Sequence, residues 1–515
     1  MRGALLLTVA AILAKVMSAI YRIPYQNMVG DQGFYVFQQV YPFAAVFIVL
    51  TSSGIAVAIS KLLIDETGEI QRQQMKKAIF SYLLLLGILF FFVLTIGAEI
   101  FAEWMGDTNL APLIRIAAVI PLTMPFIAIL KGVYQANNDM KKIALAQLLE
   151  QACRVAIILG GTFIVIAKTS SIYDAGAVAI SGIVVGALGS VIYLLFSDWK
   201  NSLAFLKQRG AIWNWQVVKN VTAYSVSISM SSLIVILFQF VDSFTVFSGL
   251  LKTGMEIDIA MTMKGIYDRG QSLVQFSMVL VSALAMAIVP IVAYKSRKGV
   301  GRELPYVQLT FRVTFLMSLA AAVGLALVMP YVNQMLFETN AMSSMLSVYV
   351  LQIIPLCFVL TFTAIMQGYG KLLWPSLFIV LAIVIKIALN PFLVANWDVF
   401  GAAYANNVAL LTSALCFIVY IKKWHRIQLA SAQYYGKLLL ATVCMIIVVK
   451  ALEWLLPTSG IERLQVAIIA FALIMAGAVS FIAVVVKLKI LSPREWFLLP
   501  GGKYIAMLQL FLNKK

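Results

Sequence analysis

Long apolar runs follow one another along the whole chain and are separated by short polar or charged segments. The runs are continuous rather than alternating with a period of two, so they predict helices and exclude strands as the main element. A helix of about 20 apolar residues crosses the hydrocarbon core of a bilayer, and about fourteen runs have such a length. These runs lie near residues 4–24, 34–62, 78–98, 110–134, 143–167, 175–197, 217–247, 265–293, 305–332, 345–369, 373–395, 401–421, 437–455 and 464–487.

The composition agrees with many membrane crossings. Of the 515 residues, 62% are hydrophobic and 12% are charged, whereas soluble proteins have about 45–50% and about 25%. The mean hydropathy of +0.96 leaves too few polar side chains to cover soluble domains. The predicted fold class is an all-α polytopic membrane protein with about 14 transmembrane helices. The first run has no small-residue cleavage site, which favours a retained helix over a signal peptide.

The net charge of +18 raises the question of anionic partners such as nucleic acid. The basic residues concentrate in alternate connections between the runs, as at Lys141 and Lys142 and at Lys422 and Lys423. The other connections carry acids such as Glu99. The positive-inside rule therefore places both termini in the cytoplasm. Most of the charge reflects topology, and no nucleic-acid partner is expected.

A weak internal repeat relates the two halves of the chain at a spacing of roughly 225–235 residues. The tripeptide Ile-Pro-Leu occurs at 120–122 and again at 354–356. An aromatic residue followed by Asp occurs at 173–174 and again at 397–398. Six helices are an even number, so the two repeats enter the membrane from the same face. This pattern favours a transporter over a channel or a membrane enzyme, with a substrate site between the halves.

The repeat predicts the domain organisation, with a parallel pseudo-twofold axis along the membrane normal. The predicted divisions are an N-terminal six-helix bundle at 1–216, a second six-helix bundle at 217–436, an extra helix pair at 437–487 that could form a lipid-tail groove, and a cytoplasmic interfacial tail at 488–515.

Ionisable residues occur within the predicted spans, where they normally face a cavity or a partner because isolated charges cost a few kcal/mol each. Nine are basic and three are acidic, and this surplus could hold an anion. They are Lys15, Arg22, Arg115, Lys131, Glu150, Arg154, Asp242, Asp268, Arg269, Arg312, Lys386 and Lys450.

Lys15 and Arg22 form one basic stripe, because residues seven apart lie within about 20° of one another on an α-helix. Pro24 follows and is expected to end or bend that helix. Lys15 lies near the middle of its span, so we expect the pair to line a cavity. Arg269 begins the eighth span beside Asp268, and its depth alone does not assign it a role.

The repeat relates Arg154 in the fifth run to Lys386 in the eleventh. Glu150 and Arg154 are spaced i, i+4, which favours a pair on one helix face over a substrate contact. Asp242 is the most isolated acid and is a candidate charge partner or cation site.

Four further basic residues lie near the ends of runs and are expected to extend towards an interface. Those near the cytoplasmic edge are Lys131 and Arg312, and those near the outer edge are Arg115 and Lys450.

The sequence lacks the residue patterns of metal sites, disulfides and ATP-binding loops. The four cysteines stand singly in apolar runs, the single histidine lies in a basic loop, and no Gly-rich loop ends in Gly-Lys-Ser/Thr. We therefore expect no metal, disulfide, cofactor or ATP site. Transport would be driven by a coupling ion or by the membrane potential, which supplies about 2.3 kcal/mol per charge per 100 mV.

Two segments resemble a known superfamily. Residues 265–269 (Gly-Ile-Tyr-Asp-Arg), leading to 287–290 (Ala-Ile-Val-Pro), are similar to the Tyr-x-Asp-Arg segment of MurJ-type lipid II flippases. Residues 21–24 (Tyr-Arg-Ile-Pro) and 30–35 (Gly-Asp-Gln-Gly-Phe-Tyr), followed by Gln-Val-Tyr-Pro at 39–42, resemble the polysaccharide biosynthesis or stage V sporulation protein B branch. Both belong to the multidrug/oligosaccharidyl-lipid/polysaccharide exporter superfamily.

The resemblance implies a flippase that exports an undecaprenyl-diphosphate-linked oligosaccharide across a bacterial cell membrane by alternating access, as a monomer. It implies that Arg22 and Arg269 contact the anionic headgroup in a central cavity, together with Lys15, although the spacing of the first span differs. It also implies that Asp268 is the acid beside the arginine. Arg154 and Lys386 complete the predicted cationic site, and Asp242, Asp268 and Glu150 are the candidate coupling or charge-partner acids.

Other functions stay open from the sequence. A multidrug or cation antiporter of the same superfamily would use acids to bind a cation, and this chain has a basic excess instead. A membrane glycosyltransferase would need a catalytic extramembrane loop, and the connections are short. Sugars would meet polar side chains such as Gln38, Gln39, Gln239, Gln271 and Gln275, whose orientations the sequence does not give.

Overall fold

The computed structural model describes most of the chain, and every regular element within the described residues is a helix. The described residues are 10, 13–14, 16–169, 171–199, 203–207, 213–297, 304–371, 373–456, 462–499 and 502–512. Lys15 therefore lies outside them. The all-α prediction is confirmed for this part of the chain.

The α-helices are numbered here in chain order. They are α1 Arg22–Val49, α2 Ala56–Asp65, α3 Glu69–Ile96, α4 Ala98–Met105, α5 Ala111–Ala117, α6 Ile120–Ala136, α7 Met140–Ala156, α8 Thr162–Thr169, α9 Ile172–Phe196, α10 Trp215–Lys252, α11 Ile257–Arg297, α12 Leu304–Leu327, α13 Met329–Phe337, α14 Ser343–Val350, α15 Ile353–Gly368, α16 Leu373–His425, α17 Ala432–Trp454, α18 Arg463–Lys487, α19 Pro493–Trp496 and α20 Gly502–Leu512. Two π-helical turns, Leu50–Ile55 and Ile157–Gly161, and two 3₁₀ turns, Thr108–Leu110 and Ala204–Lys207, complete the elements.

Eleven helical segments of the described residues are long and apolar enough to cross a membrane. They are Val16–Asp65, Glu69–Ile96, Thr108–Ala136, Met140–Lys168, Ile172–Phe196, Trp215–Lys252, Leu304–Leu327, Ser343–Gly368, Leu373–Trp424, Ala432–Trp454 and Arg463–Lys487. Eleven is fewer than the fourteen expected, and two of the segments, of 50 and 52 residues, are far longer than the roughly 20 residues that one crossing needs. Each of these two contains a break in its helical backbone.

The first break lies at Gly30, six residues beyond the proline that was expected to bend the helix. Gly30 has φ 71° and ψ −175°, a region of backbone space that essentially only glycine enters. The two arms of helix on either side pack against each other, since the ring centroids of Tyr25 and Phe37 are 5.1 Å apart. A Cβ on Gly265 of α11 would collide with the carbonyl of Asp31, so the start of α11 touches the break backbone to backbone.

The second break lies within α16, at the aromatic-Asp pair of the repeat. Trp397 has φ −137° and ψ 21°, and Asp398 has φ 49° and ψ −137°. Both breaks fall where the hydropathy pattern predicts a connection between two runs.

Two compact units make up the chain. Unit 1 comprises Met1–Asp268 and Asn390–Asp398, and unit 2 comprises Arg269–Leu389 and Val399–Lys515. The boundary therefore falls inside α11 and twice inside α16. The division into bundles at 1–216 and 217–436, with the parts at 437–487 and 488–515, stays a prediction.

The residues after α18 form two short helices in unit 2. Ser492 caps α19 in a reciprocal arrangement with Glu495, which satisfies the free N–H groups of the first turn. Glu495 also pairs with Arg312 of α12, and the hydroxyl of Tyr434 donates to the Arg312 carbonyl at 2.6 Å. Arg312 is therefore only partly exposed and paired, whereas the sequence predicted that it would extend to the interface.

Candidate functional site

Arg22 is a fully buried cation in the first helical turn of α1. Its guanidinium carbon lies 4.8 Å from the centroid of the Tyr41 ring, across the Gly30 break. None of its three side-chain nitrogens has a hydrogen-bond partner among the described residues. Contact with an aromatic face returns about 2 kcal/mol when desolvated, which is less than a buried charge costs. Arg22 is therefore a cation whose donors are available to a ligand.

A second group of charges lies next to Arg22 in unit 1. The Arg154 Nη2 donates to Glu150 Oε1 at 2.9 Å, as the i, i+4 spacing predicted. Lys131 Nζ lies 3.8 Å from the other oxygen of Glu150. Tyr21 interacts electrostatically with both Arg22 and Arg154, so the structure brings these two predicted site residues together.

Lys131 corrects one expectation. The sequence suggested that it extends to the cytoplasmic interface, but its side chain is only 6% exposed. It donates to the hydroxyl of Ser52 at 3.2 Å, and Ser52 lies in the π-helical turn Leu50–Ile55. Such turns often occur at functional positions in helices. Lys131 is held inside the unit by Glu150 and Ser52.

Asp268 is buried and forms an ion pair at the start of α11. Both of its carboxylate oxygens accept from Lys264 Nζ at 2.6 Å. Asp268 also interacts electrostatically with Arg22 and with Asp242. The predicted acid beside Arg269 is thus linked to the charge cluster of unit 1.

Asp242 of α10 is less isolated than the sequence suggested. Its Oδ2 accepts from the hydroxyl of Tyr267 at 3.0 Å, and its Oδ1 accepts from Asn390 Nδ2 at 2.9 Å. Asn390 also donates to the hydroxyl of Thr245 at 2.7 Å. Asp242 therefore accepts hydrogen bonds from two neutral donors.

These contacts form one buried polar network in unit 1, in which cations outnumber acids. The cations are Lys131, Arg154, Arg22 and Lys264, and the acids are Glu150, Asp268 and Asp242. Each acid accepts at least one hydrogen bond from a named donor, whereas Arg22 donates none within the described chain. The excess positive charge is therefore concentrated at Arg22, and it could hold an anion.

Unit 2 contains two further predicted site residues, and both are buried. The Arg269 Nη1 donates to Asn333 Oδ1 at 2.9 Å, and its guanidinium carbon lies 5.1 Å from the centroid of the Phe337 ring. Lys386 donates to Asn406 Oδ1. Both cations thus have an amide oxygen as a hydrogen-bond acceptor.

Sequence reasoning missed several polar residues that contact the predicted site residues in the two units. Lys264 was assigned to a connection, because the eighth span was predicted to begin at residue 265. Its i, i+4 spacing from Asp268 could have indicated an ion pair on one helix face. Asn390, Asn406 and Asn333 carry no charge, so a search for ionisable residues in spans does not find them.

The sequence profile of the family described as "Polysaccharide biosynthesis protein" matches residues 1–294, more than half of the chain. The chain belongs to this family. The family resemblance read from the sequence is confirmed.

Two relatives from Bacillus subtilis (strain 168) match most of this chain. "Uncharacterized membrane protein YabM" is 32% identical over 515 residues, which are 98% of this chain and 96% of that protein. "Lipid II flippase MurJ" is 25% identical over 495 residues, with 88% and 89% covered.

Solved structures of the MOP superfamily have the same fold. "Lipid II flippase MurJ, inward closed conformation" matches with a TM-score of 0.66 and 16% identity over 93% of this chain and 99% of that chain. An inward-facing multidrug resistance MATE family transporter matches with a TM-score of 0.64 and 12% identity, covering 80% and 94%. At these identities the likeness shows the fold alone.

Proposed function

We propose that this protein is a flippase that moves an undecaprenyl-diphosphate-linked oligosaccharide from the inner to the outer leaflet of a bacterial cell membrane by alternating access. The observation that carries the proposal is Arg22, a buried guanidinium with hydrogen-bond donors that no described residue accepts. A planar guanidinium suits phosphate oxygens, which it binds through two parallel N–H bonds. Membership of the polysaccharide biosynthesis family supports a glycan as the transported group.

Arg154 is the second proposed substrate contact in unit 1, since it lies beside Tyr21 and its Nε has no partner among the described atoms. Arg269 and Lys386 are the proposed contacts in unit 2, where each donates to a neutral oxygen. Lys15 is retained as a proposal from the sequence. A coupling ion would involve Asp242 or Asp268, with Glu150 as a charge partner.

We also propose fourteen crossings with both termini in the cytoplasm. Each of the two broken segments is counted as two crossings, and α11, which is 41 residues long, is added to the eleven. Two bundles of six followed by α17 and α18 would account for them, and the excess of basic residues in alternate connections gives the orientation.

The alternative function is an antiporter for cationic drugs. Such a protein needs an acid available to a cation. Glu150 and Asp268 are each within 4 Å of a lysine, which leaves Asp242 as the candidate acid for this function. The MATE likeness supports the alternative only through the fold. We therefore rank it below the flippase.

The proposal is tested with purified protein in vesicles that contain a fluorescent undecaprenyl-diphosphate-linked N-acetylglucosamine. Leaflet exchange is measured by the fraction of label that an impermeant quencher reaches. We expect Arg22→Met to slow exchange by about 10- to 100-fold, the equivalent of a lost charge-assisted hydrogen bond of about 1.5–3 kcal/mol. The matched control is Arg115→Met, because Arg115 is half-exposed and pairs with Glu99.

If Arg22→Met exchanged the lipid between leaflets at the wild-type rate, Arg22 would not be a substrate contact. Failure of the wild-type protein to exchange the lipid, together with exchange of cationic dyes for protons, would favour the antiporter. In cells depleted of their lipid II flippase, rescue by wild type and loss in Arg22→Met and Arg269→Ala would identify a lipid II-type substrate.

A further inference from the structure

Unpaired side-chain amides occur on α1 and α10 in unit 1. The oxygens of Gln38 and Gln39 and both amide ends of Gln239 are buried and have no hydrogen-bond partner within the described chain. Each such group costs about 1–3 kcal/mol when it is left unsatisfied. Buried polar groups of native proteins are nearly always satisfied, so a concentration of unpaired ones indicates a place where a ligand or bound water completes the bonding.

The amides lie where α1 and α10 meet. Gln39 Nε2 donates to the carbonyl of Ser243 at 3.1 Å, which joins the two helices. The hydroxyl of Ser243 donates to the carbonyl of Gln239, one turn earlier in α10, at 3.1 Å. Gln38 precedes Tyr41 by three residues and therefore shares its side of α1. The Tyr41 ring lies 4.8 Å from the guanidinium carbon of Arg22, so Gln38 is on the side of α1 that bears the aromatic neighbour of Arg22.

The chemistry of these side chains matches a sugar rather than a phosphate or a hydrocarbon chain. A primary amide offers two N–H donors and an oxygen acceptor without a charge. Sugar hydroxyls and an N-acetyl group likewise donate and accept. Aromatic rings also lie at this contact between the two helices, because Phe43 of α1 is 4.9 Å from Phe240 of α10 between ring centroids.

We infer that Gln38 and Gln239 recognise the sugar attached directly to the diphosphate, while Arg22 binds the diphosphate itself. This inference rests on the proposed function. It makes unit 1 a site that distinguishes a glycosylated carrier from bare undecaprenyl diphosphate. Such discrimination keeps the exporter from being occupied by carrier that has already lost its glycan, since the diphosphate alone binds through only part of the site.

The test compares two lipids that share the diphosphate and the polyprenyl chain. Dissociation constants of undecaprenyl diphosphate and of undecaprenyl-diphosphate-linked N-acetylglucosamine are measured for the purified full-length protein. Wild type is expected to bind the glycosylated lipid at least about 10-fold more tightly, as one or two neutral hydrogen bonds provide. Gln239→Met keeps the length and volume of the side chain and should remove most of that preference, with bare-lipid binding changed by less than about 2-fold.

A stability measurement separates recognition from a structural role. Because Gln239→Met replaces unpaired polar atoms by apolar ones, the thermal midpoint of the ligand-free protein should stay or rise. Ser190→Ala is the matched control, since its hydroxyl is also buried without a partner in the described part of unit 1. It should leave the preference between the two lipids unchanged.

Equal binding of both lipids by wild type would overturn the inference and leave the flippase proposal standing, whether or not any variant folds. A lower thermal midpoint in Gln239→Met with an unchanged lipid preference would also overturn it, because the amide then holds structural water. Failure of wild type to bind either lipid would instead remove the proposed function. Arg22→Met should weaken binding of both lipids by the same factor.

Discussion

The two units hold their buried cations in different ways. In unit 1, Lys131 and Arg154 share the carboxylate of Glu150, and Lys264 pairs with Asp268. In unit 2, Arg269 and Lys386 donate to the amide oxygens of Asn333 and Asn406. A carboxylate neutralises a cation, whereas an amide oxygen orients it and leaves its charge in place. In unit 1, none of the three side-chain nitrogens of Arg22 has either kind of acceptor within the described chain.

The comparison shows that buried cations differ in whether their hydrogen-bond acceptor is charged or neutral. A cation paired with an acid contributes mainly to structure, because removing either partner leaves the other uncompensated. A cation that donates to a neutral oxygen is oriented by it, and removing that oxygen leaves no opposite charge uncompensated. The first two experiments below test this difference, and the third tests the burial of an acid. They begin with the largest expected effect.

Glu150→Gln should lower the free energy of unfolding more than the other substitutions. The substitution leaves Lys131 and Arg154 buried without their shared carboxylate, and removing one partner of a buried pair costs about 3–5 kcal/mol. The free energy of unfolding in detergent measures the loss. Glu99→Gln is the control, because its pair with Arg115 is 77% and 45% exposed and should contribute about 0–1 kcal/mol. Equal losses in the two variants would contradict a structural role for the Glu150 group.

Asn406→Leu should have an intermediate effect in unit 2. It removes an acceptor of Lys386, and a hydrogen bond to a charged group contributes about 1.5–3 kcal/mol. A double-mutant cycle with Lys386→Met isolates the pair, since coupling should vanish once the ammonium is gone.

Asn407 provides the matched control for that cycle. Its Nδ2 donates to the carbonyls of Val348 and Ala403, at 3.0 Å and 2.9 Å, and among the described residues no lysine bonds to it. Asn407→Leu should show no coupling to Lys386→Met. Coupling as large as that of Asn406→Leu would mean that the cycle reports general repacking.

The smallest expected effect concerns Asp107, which precedes the span Thr108–Ala136. Burial raises the pKa of this carboxyl above its ordinary value, against hydrogen bonds from Tyr173 and from the backbone N–H of Asn109. A raised folded-state pKa favours the fold below the ordinary value of about 3.9, and this contribution is lost as the pH rises through the folded-state pKa.

Asp107→Asn stays neutral at every pH, so it serves as the reference. The thermal midpoint of wild type minus that of the variant should fall between pH 3.5 and pH 7. Groups that titrate in both proteins cancel in this difference. A difference that rises with pH would mean that the hydrogen bonds outweigh burial at this acid.

Much of the fold could be predicted from hydropathy, because the cost of exposing polar backbone to lipid forces helices of a known length. The connections after Pro24 and at 397–398 were expected as well. The sequence did not indicate that the chain stays helical on both sides of each break, since helix ends are local events that depend on backbone angles such as those of Gly30.

The candidate site was predictable only in part. The Glu150–Arg154 pair follows from spacing on one helix, and it was found. Contacts between helices, such as Lys131 with Ser52 and Asp242 with Asn390, depend on packing that a single sequence does not encode by spacing. Charge was therefore a good guide to which polar residues of the spans are buried and a poor guide to their partners.

The break at Gly30 also bears on how the chain enters the membrane during synthesis. The aromatic contacts across it, Tyr25 with Phe37 and Arg22 with Tyr41, join residues that are close in sequence. The hairpin can therefore close as soon as this stretch has left the ribosome and reached the insertion machinery. Arg22 would then acquire its aromatic neighbour long before α10 is translated, so its charge is already sheltered from lipid when the remaining helices arrive.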